Sequence, residues 1–160
     1  MKDQELEQLV CSELKEIMPN MIWRNDEGEY EVFGRYKIIP QRPGYEVWVH
    51  ATCAGVFNST KTAMSWCIAD KYRNYNLARQ LLNIDNLIGN LNNDIYTRIS
   101  IANRTKKPQL KEDIETKLET KIIKKKELEQ QLTKCVNLAK YLQQRGFNNE
   151  TARTSRSGSN

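Results

Sequence analysis

The feature that most constrains this chain is a run of apolar residues whose spacing alternates between four and three. Leu or Ile occupies every position of the first run: Leu77, Leu81, Ile84, Ile88, Leu91 and Ile95. Because an α-helix has about 3.6 residues per turn, this spacing places the run on one stripe of a helix. A stripe that repeats every seven residues is typical of helices that pack side by side along their length. The sequence therefore predicts a long helix with a helical partner.

That partner follows a short polar interruption. The segment NRTKKP at 103–108 ends in Pro108, which suits the first turn of a helix. The same spacing then returns at Ile114, Leu118, Lys121, Lys125, Leu128, Leu132, Cys135, Ala139 and Leu142. Gly146 followed by Phe147 is typical of a helix C-cap. Residues 74–147 are therefore predicted to form a long antiparallel helical hairpin, coiled-coil-like, with its two stripes facing each other.

The segment 20–73 has the alternation of strands instead. Residues 29–33, 36–39 and 45–51 alternate apolar and polar side chains, and 21–24 is a further short candidate. Ser59 is a suitable N-cap for the helix that follows. This pattern predicts a small antiparallel sheet of three to four strands with one covering helix. With the hairpin, the expected fold class is α+β.

The two ends of the chain complete the expected organisation. Residues 1–19 are charged and carry apolar residues at helical spacing, which predicts an N-terminal amphipathic helix. Residues 148–160 are polar and basic, and we expect a disordered tail there. No apolar run approaches the roughly 18 residues that a transmembrane helix needs, so no membrane association is expected.

Chemistry-bearing residues are sparse. The chain has one histidine, His50, and four cysteines without a C-x-x-C pair. No nucleophile motif, Gly-rich phosphate loop or zinc-ligand spacing is present in the sequence. We therefore expect a protein that is not an enzyme and that has no cofactor and no metal site.

Positive charge is concentrated near the hairpin tip, since residues 104–127 carry 9 basic and 5 acidic side chains. Nucleic acid would suit a cluster of this kind, with Lys106, Lys107, Lys111, Lys124, Lys125 and Lys126 as candidate contacts. The alternative is a solvated face of Lys and Glu residues that pair at i,i+4. We favour the alternative, because Lys outnumbers Arg there and no aromatic residue is interleaved for base stacking.

Apolar residues also lie off the hairpin stripe. Exposed apolar patches usually mark interfaces, so these residues are candidate contacts for a protein partner or for a second copy of the chain. The candidates are Ile99, Ile122, Ile123 and Val136.

The sheet segment resembles a known kind of DNA-binding domain. GVFNSTKTAM at 55–64 follows a Trp-containing strand. It is similar to the strand-to-helix passage of the three-strand-plus-helix domains of plant ethylene-response factors and phage integrase arms. The resemblance implies that Arg35, Lys37, Arg42 and Trp48 contact DNA. The sequence departs from that pattern by also placing Glu29, Glu31 and Glu46 in the sheet segment.

The chain as a whole, with EVFGRYKI at 31–38 and SWCIADKYR at 65–73 before a hairpin, resembles small uncharacterised proteins of tailed bacteriophages. That resemblance implies an accessory or virion role, in the host cytoplasm or in the virion. The predicted function is thus a non-enzymatic interaction or assembly protein that acts through its helical hairpin. The alternative is a small DNA-binding protein that uses the sheet face or the basic hairpin tip.

Overall fold

The structure is a computed structural model that describes the backbone of residues 22–24 and 28–157 and the side chains of residues 28–146. The predicted N-terminal helix over 1–19 lies outside the described residues. The chain has the predicted α+β fold, with an antiparallel sheet followed by helices.

The sheet has five strands in sequential antiparallel order, one more than the upper limit predicted. They are β1 (Ile22–Arg24), β2 (Tyr30–Val32), β3 (Tyr36–Gln41), β4 (Gly44–Val49) and β5 (Thr52–Phe57). The predicted last strand over 45–51 ends earlier, because His50 adopts a φ of 55° and reverses the chain. The residues after this turn pair with β4 as the additional strand.

One face of the sheet is apolar, as the alternation predicted. Cross-strand pairs join Tyr30 to Ile38 and Ile38 to Val47, and all three side chains are buried. Lys37, the neighbour of Ile38 in sequence, is exposed on the opposite face.

Helix α1 (Thr60–Lys71) covers that apolar face. It begins at Ser59, whose side chain accepts a hydrogen bond from the Thr62 amide at 3.2 Å, so the predicted N-cap is confirmed. The Tyr36 hydroxyl donates to the Asp70 carboxylate at 2.5 Å and ties the helix to β3. Burial and this carboxylate both raise the pKa of the Tyr36 hydroxyl.

The long helices α2 (Tyr75–Arg104) and α3 (Pro108–Ser157) form the helical hairpin. Cys135 lies 3.8 Å from Gln80 and Lys121 forms an ion pair with Asp94, so the helices run antiparallel. Every predicted stripe residue on both helices is buried or half-buried. Whether the pair supercoils stays a prediction.

The base of the hairpin belongs to the same core as the sheet. Leu77 and Leu81 of α2 and Val136 and Ala139 of α3 are buried in one cluster with the inner face of the sheet and with α1. The predicted division at residue 74 therefore separates two segments of sequence and leaves one shared core. With 30 residues, α2 is about 45 Å long at about 1.5 Å per residue, and its C-terminal half extends past α1.

Gly146 does not end a helix, so the predicted C-cap is wrong. Helix α3 continues through it to Ser157, and the predicted disordered tail over 148–160 is helical as far as that residue. The glycine has a different role: a Cβ atom at this position would collide with the ring of Tyr72. Glycine thus allows α3 to approach the end of α1 closely.

The hairpin stripe can be tested with an aspartate. Leu128→Asp is expected to lower the free energy of unfolding by about 3 kcal/mol or more, because it places a carboxylate among buried apolar side chains. Gln130→Asp is the matched control, since Gln130 is exposed two residues away. Urea denaturation of both variants measures the difference, and equal effects would contradict the assigned stripe.

The sheet faces can be tested with two neighbouring truncations. Ile38→Ala is expected to cost about 2–5 kcal/mol, because it opens a cavity in the core. Lys37→Ala, on the solvent face, is expected to be near neutral. Comparable losses of thermal stability in the two variants would show that both faces of the sheet are covered.

Candidate interaction surface on the helical hairpin

Exposed large apolar side chains are concentrated on the hairpin. Among the described side chains, nine of the ten that are large, apolar and exposed belong to α2 and α3, and the other is Val56 of β5. The nine are Tyr75, Leu87, Tyr96, Ile99, Ile101, Leu110, Ile123, Leu138 and Tyr141. Apolar surface concentrated in this way marks the hairpin as the candidate site of interaction.

Helix α1 covers one flank of α2 only at the base of the hairpin. Ala78, Asp85 and Ile99 are separated by multiples of seven residues and so lie on the same flank. Ala78 is buried in the core, whereas Ile99 is 41% exposed. The boundary is at Asp85, whose carboxylate accepts a hydrogen bond from the Asn58 amide at 2.9 Å. Since Asn58 directly precedes the cap of α1, this contact fixes the level at which the covering helix starts.

The same boundary occurs on α3. Val136, Glu129 and Ile122 are seven residues apart and lie on the flank that faces α1. Val136 is only 5% exposed and belongs to the core, so its prediction as a partner contact is corrected. Ile122, beyond the N-terminal start of α1, is half-buried.

Of the four predicted partner residues, Ile99 and Ile122 thus share an open flank. Ile123 is 60% exposed, but it lies on the side of α3 that faces away from α2. The sequence reasoning missed Tyr96, which is 77% exposed and lies three residues before Ile99. Its i,i+3 spacing to Ile99 was the signal that could have found it.

The open flank that continues the α1 side is acidic, and we call it the acidic flank. On α2 it contains Tyr96 and Ile99. On α3 a stripe spaced by three and four residues adds Glu112, Glu115, Glu119, Ile122, Lys126 and Glu129. The four glutamates and Lys126 are exposed. The apolar centre is therefore bordered mainly by negative charge, with one lysine among the glutamates.

The opposite side of the hairpin has mixed charge, and we call it the mixed flank. Leu87 and Ile101 of α2 lie there, with Leu110, Lys117 and Lys124 of α3, and all five are exposed. The exposed Asp113 and Glu127 of α3 border the same side and offset the two lysines. Lys121, beside them at the stripe, forms an ion pair with Asp94. The hydrogen bond from Lys121 lowers the pKa of the Asp94 carboxyl, so the one acidic residue that α2 places on this flank is neutralised by its partner.

The predicted nucleic-acid contacts on the hairpin do not form one patch. Lys106 and Lys107 lie in the loop of residues 105–107, and Lys111 lies in the first turns of α3; all three are exposed. Lys124 begins a second group about 20 Å farther along the helix.

Within that second group the three lysines point in different directions. Lys124 and Lys126 are exposed on opposite sides of α3. Positions two residues apart in an α-helix differ by about 200° around its axis. Lys125 is half-buried in the stripe and pairs with Glu129 at 3.6 Å.

The sheet contacts implied by the DNA-binding resemblance are also dispersed. Lys37 and Trp48 are cross-strand neighbours on the solvent face. The Trp48 indole donates to the Glu46 carboxylate at 2.9 Å, and Lys37 lies 3.9 Å from Glu29. Carboxylates therefore lie beside both Trp48 and Lys37, the aromatic and basic side chains that the resemblance assigns to DNA contact.

The implied arginines lie at the two ends of β3. Arg35 precedes the strand, with its guanidinium 5.5 Å from the centre of the Tyr36 ring. Arg42 is exposed in the turn that follows the strand. Six strand residues separate them, so they do not combine into one basic patch.

Comparison with family models, curated proteins and solved structures finds no match to this chain. In residues 22–24 and 28–157, no helix is long and apolar enough to cross a membrane. Within that same part of the chain, His, Cys, Asp and Glu residues form no group of three suited to a metal ion.

The stability that Asp85 contributes at this boundary is expected to depend on pH. Burial raises the pKa of its carboxyl, and the hydrogen bonds from Asn58 oppose this effect. Because the folded pKa is above the unfolded one, Asp85 favours folding most when protonated. This contribution is lost as pH rises from the ordinary carboxyl range through the raised value.

Asp85→Asn should therefore gain stability relative to the unsubstituted protein as pH rises through that window. Asp113→Asn, on the exposed surface of α3, controls for the loss of one negative charge. Chemical denaturation at a series of pH values gives both differences. A difference for Asp85→Asn that stays constant with pH would contradict the assignment.

Proposed function

We propose that this protein is a non-enzymatic interaction and assembly protein that acts through the projecting half of its hairpin. The observation that carries the proposal is the apolar surface that lies beyond the level at which α1 starts. Ile99 and Tyr96 continue a flank that is buried nearer the base of the hairpin, and nothing in the described part of the chain covers them. In the light of the sequence resemblance, we place the protein among phage-type accessory or structural components, in the host cytoplasm or the virion.

The make-up of the hairpin stripe supports an interaction role. At the base, the stripe positions Leu77, Leu81 and Ala139 are buried in the shared core. In the projecting half the spacing of the first run continues from Ile95 to Arg98. The charged ends of Arg98 and of the stripe residue Lys121 pair with Asp94. This half therefore buries less apolar surface between its own helices, and covering its flanks would stabilise it.

DNA binding is the second candidate function, and one observation favours it. Lys106 and Lys107 are exposed in the loop at the hairpin tip, with Lys111 close by in α3. Glu112 and Asp113 lie next to this group, so positive and negative side chains are mixed at the hairpin tip. We therefore rank DNA binding below protein interaction.

Light scattering with and without duplex DNA separates the two functions. We expect a dimer or larger species at micromolar concentration that persists between about 0.1 M and 0.5 M salt, because burial of apolar surface is not screened. Ile99→Glu is expected to dissociate it by placing a charge in the apolar contact. Asn93→Glu, on the exposed outer face of α2, is the matched control and is expected to remain associated.

A different result would reverse the ranking. A monomer whose affinity for DNA falls steeply with salt, by a log–log slope of about −0.9 for each phosphate contacted, would favour the second candidate. Loss of that binding in Lys106→Gln and Lys107→Gln would place the contact at the hairpin tip.

A further inference from the structure

We infer that the basic end of the fold is the docking site for the acidic segment of residues 1–21 of the same chain. The basic end is the surface where the turn between β2 and β3, the last turn of α1 and the part of α3 near Gln143 meet. Its cations are Arg35, Lys71, Arg73 and Lys140. This docking goes beyond the proposed function, because the surface lies at the base of the hairpin and not on its projecting half.

Contacts between side chains join these elements into one surface. The Lys71 ammonium lies 3.9 Å from the centre of the Phe33 ring and 5.2 Å from that of the Tyr72 ring. The Tyr72 hydroxyl donates to the Gln143 side chain at 3.3 Å. Lys140 precedes Gln143 by three residues and so lies on the same side of α3. A segment docked here therefore contacts the sheet, α1 and α3 together.

Positive charge predominates on the basic end. Arg35 and Arg73 are exposed there, in addition to the half-buried Lys71 and Lys140. Asp70 supplies a carboxylate, which already accepts a hydrogen bond from the Tyr36 hydroxyl at 2.5 Å. Cations thus outnumber carboxylates, and the surface attracts an anionic partner.

The sequence of residues 1–21 has the opposite charge. Its two basic side chains are outnumbered by five acidic ones, Asp3, Glu5, Glu7, Glu13 and Glu16. In the helix that the sequence predicts, Glu7, Glu13 and Glu16 lie on or beside the apolar stripe, whereas Lys15 lies on the far side. Lys2 is offset by its neighbour Asp3. The stripe itself consists of Leu6, Leu9, Val10, Leu14 and Ile17.

The chain enters the sheet beside the basic end. Ile22 of β1 pairs with Val32 of β2, and Phe33 directly follows Val32. Pro19 is three residues before Ile22 and so lies within about 11 Å of it. A helix that ends at this proline is therefore held next to the turn between β2 and β3.

Charge also selects between the two faces of the sheet that this short connection can reach. The outer face carries Glu31 and Glu46, and the Lys37 ammonium on it lies 3.9 Å from the Glu29 carboxylate. An acidic segment is repelled by that face and attracted by the basic end. At the basic end its apolar stripe meets Phe33 and Tyr72, which are both half-buried.

Hydrogen exchange of the whole chain, followed by mass spectrometry, tests the docking. Amides of residues 3–18 are expected to exchange at least about tenfold more slowly than in an isolated peptide of residues 1–21, because docking stabilises their hydrogen bonds. Glu13→Lys with Glu16→Lys reverses the charge of the segment, and Arg35→Glu with Arg73→Glu reverses that of the basic end. Each pair alone is expected to speed this exchange at about 0.1 M salt. The chain with all four substitutions is expected to recover the protection, since the signs are again opposite.

The control removes the same charge outside the basic end. Arg42→Glu with Lys134→Glu is expected to leave the exchange of residues 3–18 unchanged. Arg42 lies at the other end of β3 from Arg35, and Lys134 lies on the side of α3 that faces away from α1; both are exposed. Far-ultraviolet circular dichroism and thermal melting confirm that every variant is folded.

The contrary outcomes are distinct. Exchange of residues 3–18 as fast as in the isolated peptide would show that the segment does not dock. If neither reversal speeds exchange, or if the fourfold variant does not recover protection, charge does not place the segment on the basic end. Protection that rises with protein concentration would assign the docked segment to a second copy, and the assignment to the same chain would be wrong. None of these results bears on the proposed function, since no substituted residue lies in the projecting half of the hairpin.

Discussion

Helix α1 is buried between the sheet and the base of the hairpin, and the rest of the structure depends on its packing against both. Eight of its twelve residues are buried, many of them small, such as Ala63, Ser65 and Ala69. Small side chains allow the sheet to pack on one side and the base of the hairpin on the other. The helix thus joins two segments with different sequence patterns into one core. Cys67, at its centre, is fully buried, and burial raises the pKa of its thiol.

The position at which α1 begins determines where the hairpin becomes exposed. Asp85 and Asn58 fix that level through two hydrogen bonds of 2.9 Å each. Between this level and the base of the hairpin, the flank is part of the core, as the buried Val136 shows. Between this level and the tip, the same flank exposes Ile99 to solvent. The hairpin is therefore a structural element over its first half and a candidate interface over its second, although its heptad spacing does not change between them.

Local signals predicted much of this fold. Helical spacing defined the stripe, and Ser59 and Pro108 marked helix starts, because capping depends on a few neighbouring residues. Features that depend on distant elements were not predictable in this way. Gly146 has the sequence signature of a helix end, but its environment is set by a ring 74 positions earlier in the chain. Val136 and Ile99 look alike in the sequence, and only the position of α1 distinguishes a core residue from an exposed one.

Amide hydrogen exchange along α2 and α3, measured at low and high protein concentration, tests the division of the hairpin most directly. Amides near Leu81 and Ala139 should be strongly protected at both concentrations, since both residues are fully buried in the shared core. Amides near Ile99 and Ile122 should exchange rapidly in dilute protein and become protected as concentration rises. Uniform protection along both helices at every concentration would contradict the account, because the projecting half would then need no partner.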